Sequence, residues 1–133
     1  MASIHREVHI AAPAAQVWAA LRDVGAIHTK VAPGFVAHCV LDGEHRVVTF
    51  RNGMQARELI VDVDNDLMRV SWSVVGGRLT HHNASNQVSS TGERSCTVLW
   101  VADLLPNELA PAVAGMIEQG LAAMKAYQEG SSG

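Results

Sequence analysis

Glu58 is the ionisable residue whose surroundings invite chemistry. It is followed by Leu59, Ile60 and Val61, and in an extended chain Ile60 points the same way as Glu58. A carboxyl turned into a partly dry interior has its pKa raised, which suits proton transfer. One turned to solvent, or paired with a cross-strand Arg, is structural only. His81-His82-Asn83, with Ser85 and Gln87 just beyond, is the densest polar cluster. Adjacent residues on a strand face opposite ways, so at most one of His81 and His82 reaches the interior, where it could act as a general acid or base. A solvent-facing or hydrogen-bonded core His is the plainer reading. His5, Glu7 and His9 share a strand face, but that face is polar and offers no fourth ligand, so no metal is expected. Cys39 and Cys96 lie in apolar, strand-like contexts and are expected as buried thiols rather than a disulfide.

Other chemistries have no foothold. The chain holds no Gly-x-Gly-x-x-Gly, P-loop, Gly-x-Ser-x-Gly or Cys-x-x-Cys, so neither nucleotide use nor nucleophilic catalysis is supported and no cofactor is expected. Ten basic and thirteen acidic residues leave a net charge of −3, with no basic stripe to meet a phosphate backbone, which argues against nucleic acid. The apolar runs are too short to span a bilayer. The first residues lack the apolar core of a secretory signal, so a cytoplasmic location is the expectation. With 133 residues, 48% of them hydrophobic, the chain has the material for one core. Much of that material is Ala and Val, beside three Trp, two Phe and one Tyr. Such a core either packs backbone to backbone or leaves space.

The elements that must position these residues follow from periodicity and turn chemistry. Ile4, Arg6, Val8 and Ile10 alternate with His5, Glu7 and His9, a half-buried strand with the His/Glu face in water. Pro13 is pre-set for the first turn of a helix, and Val17, Trp18 and Leu21 recur at helical spacing over 13–21. A second short helix or turn occupies 23–30, ended by Pro33-Gly34. Six strands follow, divided by Asp42-Gly43, Asn52-Gly53, Asp64-Asn65-Asp66, Gly76-Gly77 and Ser90-Thr91-Gly92, the first two being strong hairpin signals. A long helix from Asn107 or Ala110 to about Gln128 carries Val113, Met116, Ile117, Leu121 and Met124 as its apolar stripe. The domain is thus 1–128, with 129–133 a Gly/Ser tail expected to be disordered. The order β-α-α-β6-α describes an α+β helix-grip fold, a seven-stranded antiparallel curved sheet around a long C-terminal helix. A curved sheet meets a straight helix along only part of its length, so a void between them is expected.

These residues also carry a resemblance. Ala12-Pro13-Ala14-Ala15-Gln16-Val17-Trp18 resembles the Ala-Pro-x-x-x-Val-Trp opening of the StAR-related/polyketide-cyclase (SRPBCC, Bet v 1-like) superfamily, of the polyketide cyclase/dehydrase and lipid transport type. Gly53-Met54-Gln55-Ala56-Arg57-Glu58-Leu59 is similar to its Gly-x-x-x-x-Glu strand opening, and Val70–Gly77 resembles the matching strand of plant abscisic-acid receptors. The likeness covers 3–128 in order and spacing. It departs at the receptors' gate loop, where this chain has only Asn52-Gly53, and at their His-Arg-Leu latch, where Arg78-Leu79-Thr80 follows Gly77. A hormone-receptor role is therefore not implied.

The resemblance implies a cavity for lipids, polyketides or other small apolar molecules, with Glu58 at its wall accepting a ligand hydroxyl, often through water. Trp72 with Val74, and Val98 with Trp100, occupy single strand faces. Plain core packing is one reading; ligand contact, together with Ile60 beside Glu58, is the other and the one expected at the cavity wall. Ala112, Met116 and Gly120 form a helix row toward the same space. Gly120 and Gly115 each cost about 1 kcal/mol relative to Ala in a helix interior, understandable where the sheet or a ligand comes close. Orientation of the guest would fall to Glu58, Ser85 and one of His81 and His82. A polyketide cyclase or dehydrase using Glu58 or a pocket His, and a protein-interaction module with a vestigial cavity, are the rival readings.

Overall fold

The computed structural model describes residues 1–131. Its elements run β1 (Ala2–Ile10), α1 (Ala14–Leu21), a π-type turn (Ile27–Val31), β2 (Val36–Asp42), β3 (His45–Phe50), β4 (Gln55–Asp64), β5 (Arg69–Val75), β6 (His81–Gly92), β7 (Ser95–Leu105), a short 3-10 turn (Asn107–Leu109) and α2 (Ala110–Ser131). The strands form one antiparallel sheet in the order β1-β7-β6-β5-β4-β3-β2. This is the helix-grip arrangement, a meander whose two edges are β1 and β2. Gly43 and Gly53 sit at φ +62° and +92°, the left-handed backbone that Asp-Gly and Asn-Gly turns require. In the β4–β5 turn, Asp64 Oδ1 accepts from the backbone N–H of Asp66 and of Leu67, both at 3.0 Å.

Alternation within each strand divides the sheet. Ile4 and Ile10 of β1, Val70 and Trp72 of β5, Ala84 and Val88 of β6, and Val98, Ala102 and Leu104 of β7 are all buried on the concave face. Ile117, Leu121 and Met124 of α2 close over them. α1 buries Val17, Trp18 and Leu21, and Trp18 Nε1 donates to Asn65 Oδ1 at 3.1 Å, tying this helix to the β4–β5 turn. Cys39 and Cys96 are buried and not joined to each other.

α2 extends further than its sequence suggests. A disordered tail from Glu129 is corrected over 129–131, which continue the helix; 132–133 lie outside the described residues. The reason lies in polar anchoring. Glu129 Oε2 accepts from the Ala11 N–H at 2.9 Å and from Lys125 Nζ at 2.6 Å, and Lys125 also donates to the His9 carbonyl. Gln128 is almost wholly buried, accepting from Gln16 Nε2 and donating to the Lys30 carbonyl. Arg6 pairs with Glu118 at 3.3 Å. These contacts pin α2 against β1, β7 and the π turn. The helix therefore leans toward one side of the concave sheet and stands away from β4 and β5.

Candidate functional site

The space left between α2 and the sheet is a cavity of about 360 Å³. Its floor is apolar, with Val31, Val48, Ala84, Ile117 and Met124, and four aromatic rings stand around it: Phe35, Phe50, Trp72 and Trp100. Phe35 meets Phe50, and Trp72 meets Trp100, edge to face at 5.4 and 5.7 Å between ring centres, the geometry that ring quadrupoles favour. The rim is formed by exposed Met54, Gln55, Gly76, Gly77 and Arg78 with Ala112 at the start of α2. An opening there faces away from the anchored end of the helix.

Of the residues singled out from sequence, Glu58, Trp72, Val74, Trp100, His82, Ala112, Met116 and Gly120 do meet at this cavity. The approach at Gly120 is tight. A Cβ there would lie 2.9 Å from Trp100 Cζ3 and 3.3 Å from Phe35 Cε2, so the missing side chain is what lets the sheet's aromatics reach the helix. Gly115 has no atom within 4 Å of such a Cβ, and close approach does not account for it.

Three expectations are corrected. Ser85 lies on the convex face, beside Ser71, Asn83 and Asp103 in a shallow polar groove, because Ala84, Asn86 and Val88 take the concave positions of β6. A shift of one residue exchanges the two faces of a strand. Val98 is fully buried between Val8 and Val88, in the closed core rather than at the cavity. Ile60 shares the concave side with Glu58, but it stands at the register shift between Ile60 and Asp62 and packs against the core outside the cavity wall. Of the two histidines, His82 is the inward one; His81 is absent from the wall.

Glu58 is both at the cavity and paired. It is directly opposite Arg46 on β3, and Arg46 Nε donates to its Oε1 at 2.8 Å with both residues more than nine-tenths buried. Arg46 also donates to the Val24 carbonyl at 3.2 Å and holds its guanidinium 5.1 Å from the centre of the Trp72 ring, a cation–π contact. Burial pushes the Glu58 carboxyl up, opposed by the charge and hydrogen bond of Arg46. At His82, burial and then the neighbouring His81 lower the imidazole pKa below 6.5, so it is neutral at pH 7.

Among the wall residues not singled out from sequence are the aromatic Phe35 and Phe50 and the polar Arg46 and Asn86. A two-residue Asn52-Gly53 turn would oppose Val47 to Glu58. The wider turn here, with the Phe50 N–H bonded to the Met54 carbonyl, sets Thr49 against Gln55 and Arg46 against Glu58 instead. On β6 the only apolar residues, Ala84 and Val88, fix the inward parity that carries His82 and Asn86 with them. Three polar atoms on this wall have no hydrogen-bond partner: His82 Nδ1, Asn86 Oδ1 and Trp100 Nε1. Among the described residues no three His, Cys, Asp or Glu side chains gather as a metal site, and no helix is long and apolar enough to cross a membrane.

Comparison with known proteins places this geometry. The fold is shared with XoxI from Bacillus cereus (18% identity, 98% of this chain and 99% of that one, TM-score 0.84). It is shared with norcoclaurine synthase from Thalictrum flavum in complex with dopamine and hydroxybenzaldehyde (22%, 98% and 85%, TM-score 0.74). A START superfamily protein from Mycobacterium smegmatis is also similar (13%, 98% and 96%, TM-score 0.71). No curated protein sequence matches the chain. The model of the family described as polyketide cyclase / dehydrase and lipid transport matches residues 1–129. With its concave sheet, gripped helix and intervening cavity, the chain belongs to the polyketide cyclase/dehydrase and lipid transport family, and its fold is that of the SRPBCC ligand-binding proteins.

Proposed function

We propose that this domain binds and carries a small, mainly apolar molecule in the cavity between α2 and the sheet. The observation that carries the reading is the cavity itself, about 360 Å³ with walls dominated by aliphatic and aromatic side chains, within the ~300–1,000 Å³ range of small-molecule sites. Burying ~300 Å² of a guest's apolar surface supplies roughly 7 kcal/mol before the losses of association. The family's description includes lipid transport, and norcoclaurine synthase, of the same fold, is seen with aromatic molecules bound.

A cyclase- or dehydrase-type enzyme is the second reading, favoured by a neutral His82 on the same wall as Glu58. Because the Glu58 carboxylate is engaged by Arg46, His82 has no obvious acidic partner for the chemistry. An interaction module with a vestigial cavity is disfavoured by the size of the space.

Native mass spectrometry of protein purified from its own host, together with titration of the neutral fluorescent probe N-phenylnaphthylamine, tests the carrier reading. The native protein is expected to retain a small molecule or to bind the probe, and Ala84→Phe, which fills the cavity floor, to lose both. Absence of a retained molecule combined with equal probe binding by the native protein and a folded Ala84→Phe variant would refute it.

A further inference from the structure

Two residues of the cavity wall, opposed on neighbouring strands, each carry a buried polar atom without a hydrogen-bond partner. Asn86 and Trp100 are directly paired across β6 and β7, which sets their Cβ atoms ~4.5–5.5 Å apart. Both residues belong to the wall. Asn86 is 4% exposed, and its Oδ1 accepts no hydrogen bond; Trp100 Nε1, a donor only, has no acceptor. Neighbours though they are, they do not bond each other. Buried polar groups are almost always satisfied, and an orphan is expensive. One orphan acceptor beside one orphan donor is matched by a group that can both donate and accept.

Resting on the carrier reading above, the geometry points to a hydroxyl-recognition subsite: Asn86 and Trp100 hold the hydroxyl of a neutral ligand, which donates to Asn86 Oδ1 and accepts from Trp100 Nε1. Neutrality follows from the charges on the wall. Arg46 and Glu58 compensate each other, Arg57 is paired with Asp42 at 2.9 Å, and Arg78 is out at the exposed rim. A carboxylate or ammonium carried to Asn86 would be buried without a countercharge. The position of the indole is fixed from both sides, by Trp72 edge-on and by Gly120 beneath it, so the donor is pre-organised.

The test is competition for bound N-phenylnaphthylamine by naphthol, methylnaphthalene and naphthoate, probes of one shape that differ in a single group. Naphthol is expected to displace the dye about tenfold more effectively than methylnaphthalene or naphthoate. Asn86→Leu and Trp100→Phe are each expected to bring the ratio of naphthol to methylnaphthalene displacement close to parity, each ratio being taken within one variant. A preference below about threefold in the native protein, or a preference that survives in both variants, overturns the subsite. Should either variant fail to fold, the other and the native preference decide. A native protein that neither retains a small molecule nor takes up the dye fails the carrier reading instead, so the two failures are told apart.

Discussion

Arg46 and Glu58 form a buried ion pair at the wall of the cavity, Nε to Oε1 at 2.8 Å, from directly opposed positions on β3 and β4. Each ion is removed from water, and the pair is sustained by the extra acceptor at Val24 and the face of Trp72. Removing one partner leaves the other buried and uncompensated, which typically costs about 3–5 kcal/mol, whereas replacing both by apolar residues is often neutral or stabilising. Arg46→Met and Glu58→Leu are each expected to lower the melting temperature by roughly 10 °C or more, and the double variant to recover most of the loss. A double variant as unstable as the sum of the singles, in thermal melts followed by circular dichroism, would mean that the two side chains act independently.

Gly115 and Gly120 should respond in opposite ways to the same substitution. Gly115→Ala meets nothing within 4 Å and should stabilise α2 by about 1 kcal/mol. Gly120→Ala gains the same helix propensity but drives a methyl against the Trp100 ring at 2.9 Å, so it is expected to gain less or to destabilise, and to change the near-ultraviolet circular dichroism of the tryptophans. Equal stabilisation by both, with unchanged spectra, would contradict the close approach.

His82 predicts a pH dependence of stability. Its folded pKa lies below the ordinary 6.5 because burial disfavours the imidazolium, with His81 adding to the effect. Below about pH 6.5 the unfolded chain takes up a proton that the folded chain refuses, so stability is lost as pH falls from 6.5 toward the depressed value and levels off below it. His82→Leu should remove this component. Its melting temperature is expected to fall less than the native protein's between pH 7.5 and 5.5, and parallel declines would dismiss the assignment.

Two of the three tryptophans, Trp72 and Trp100, belong to the cavity wall, whereas Trp18 is bonded to Asn65 on α1's side of the molecule. Occupation of the cavity should therefore shift or quench the intrinsic fluorescence. A double Trp72→Phe, Trp100→Phe variant, left with Trp18 alone, should show little response to the same probe. A full response from that variant would place the guest elsewhere.

Much of this molecule was legible in the residues alone. The Asp-Gly and Asn-Gly turns, the alternation of β1, β5 and β7 and the apolar stripe of α2 report local backbone chemistry and burial. Neighbouring strands of a meander pair in order, so the seven-stranded sheet and the gripping helix followed. So did the inward placement of Trp72, Val74 and Trp100, which are consecutive members of alternating apolar rows. β6 was misjudged at Ser85 because its polar run offers only Ala84 and Val88 to mark which side faces in.

What remained for the tertiary structure depends on distances between elements, which no local pattern encodes. The cavity exists because Glu129, Lys125, Gln128 and Glu118 fasten α2 toward β1 and the π turn, holding it off β4 and β5. An interior Glu58 and a Glu58 paired with a cross-strand Arg stand as alternatives in the sequence. That both hold, with Arg46 as the partner, and that Trp100 and Asn86 carry an unpaired donor and acceptor, is decided where side chains from separate strands converge under the helix. Periodicity assigns a residue to a face; only the curvature of the sheet and the tilt of the helix decide how much room that face is left.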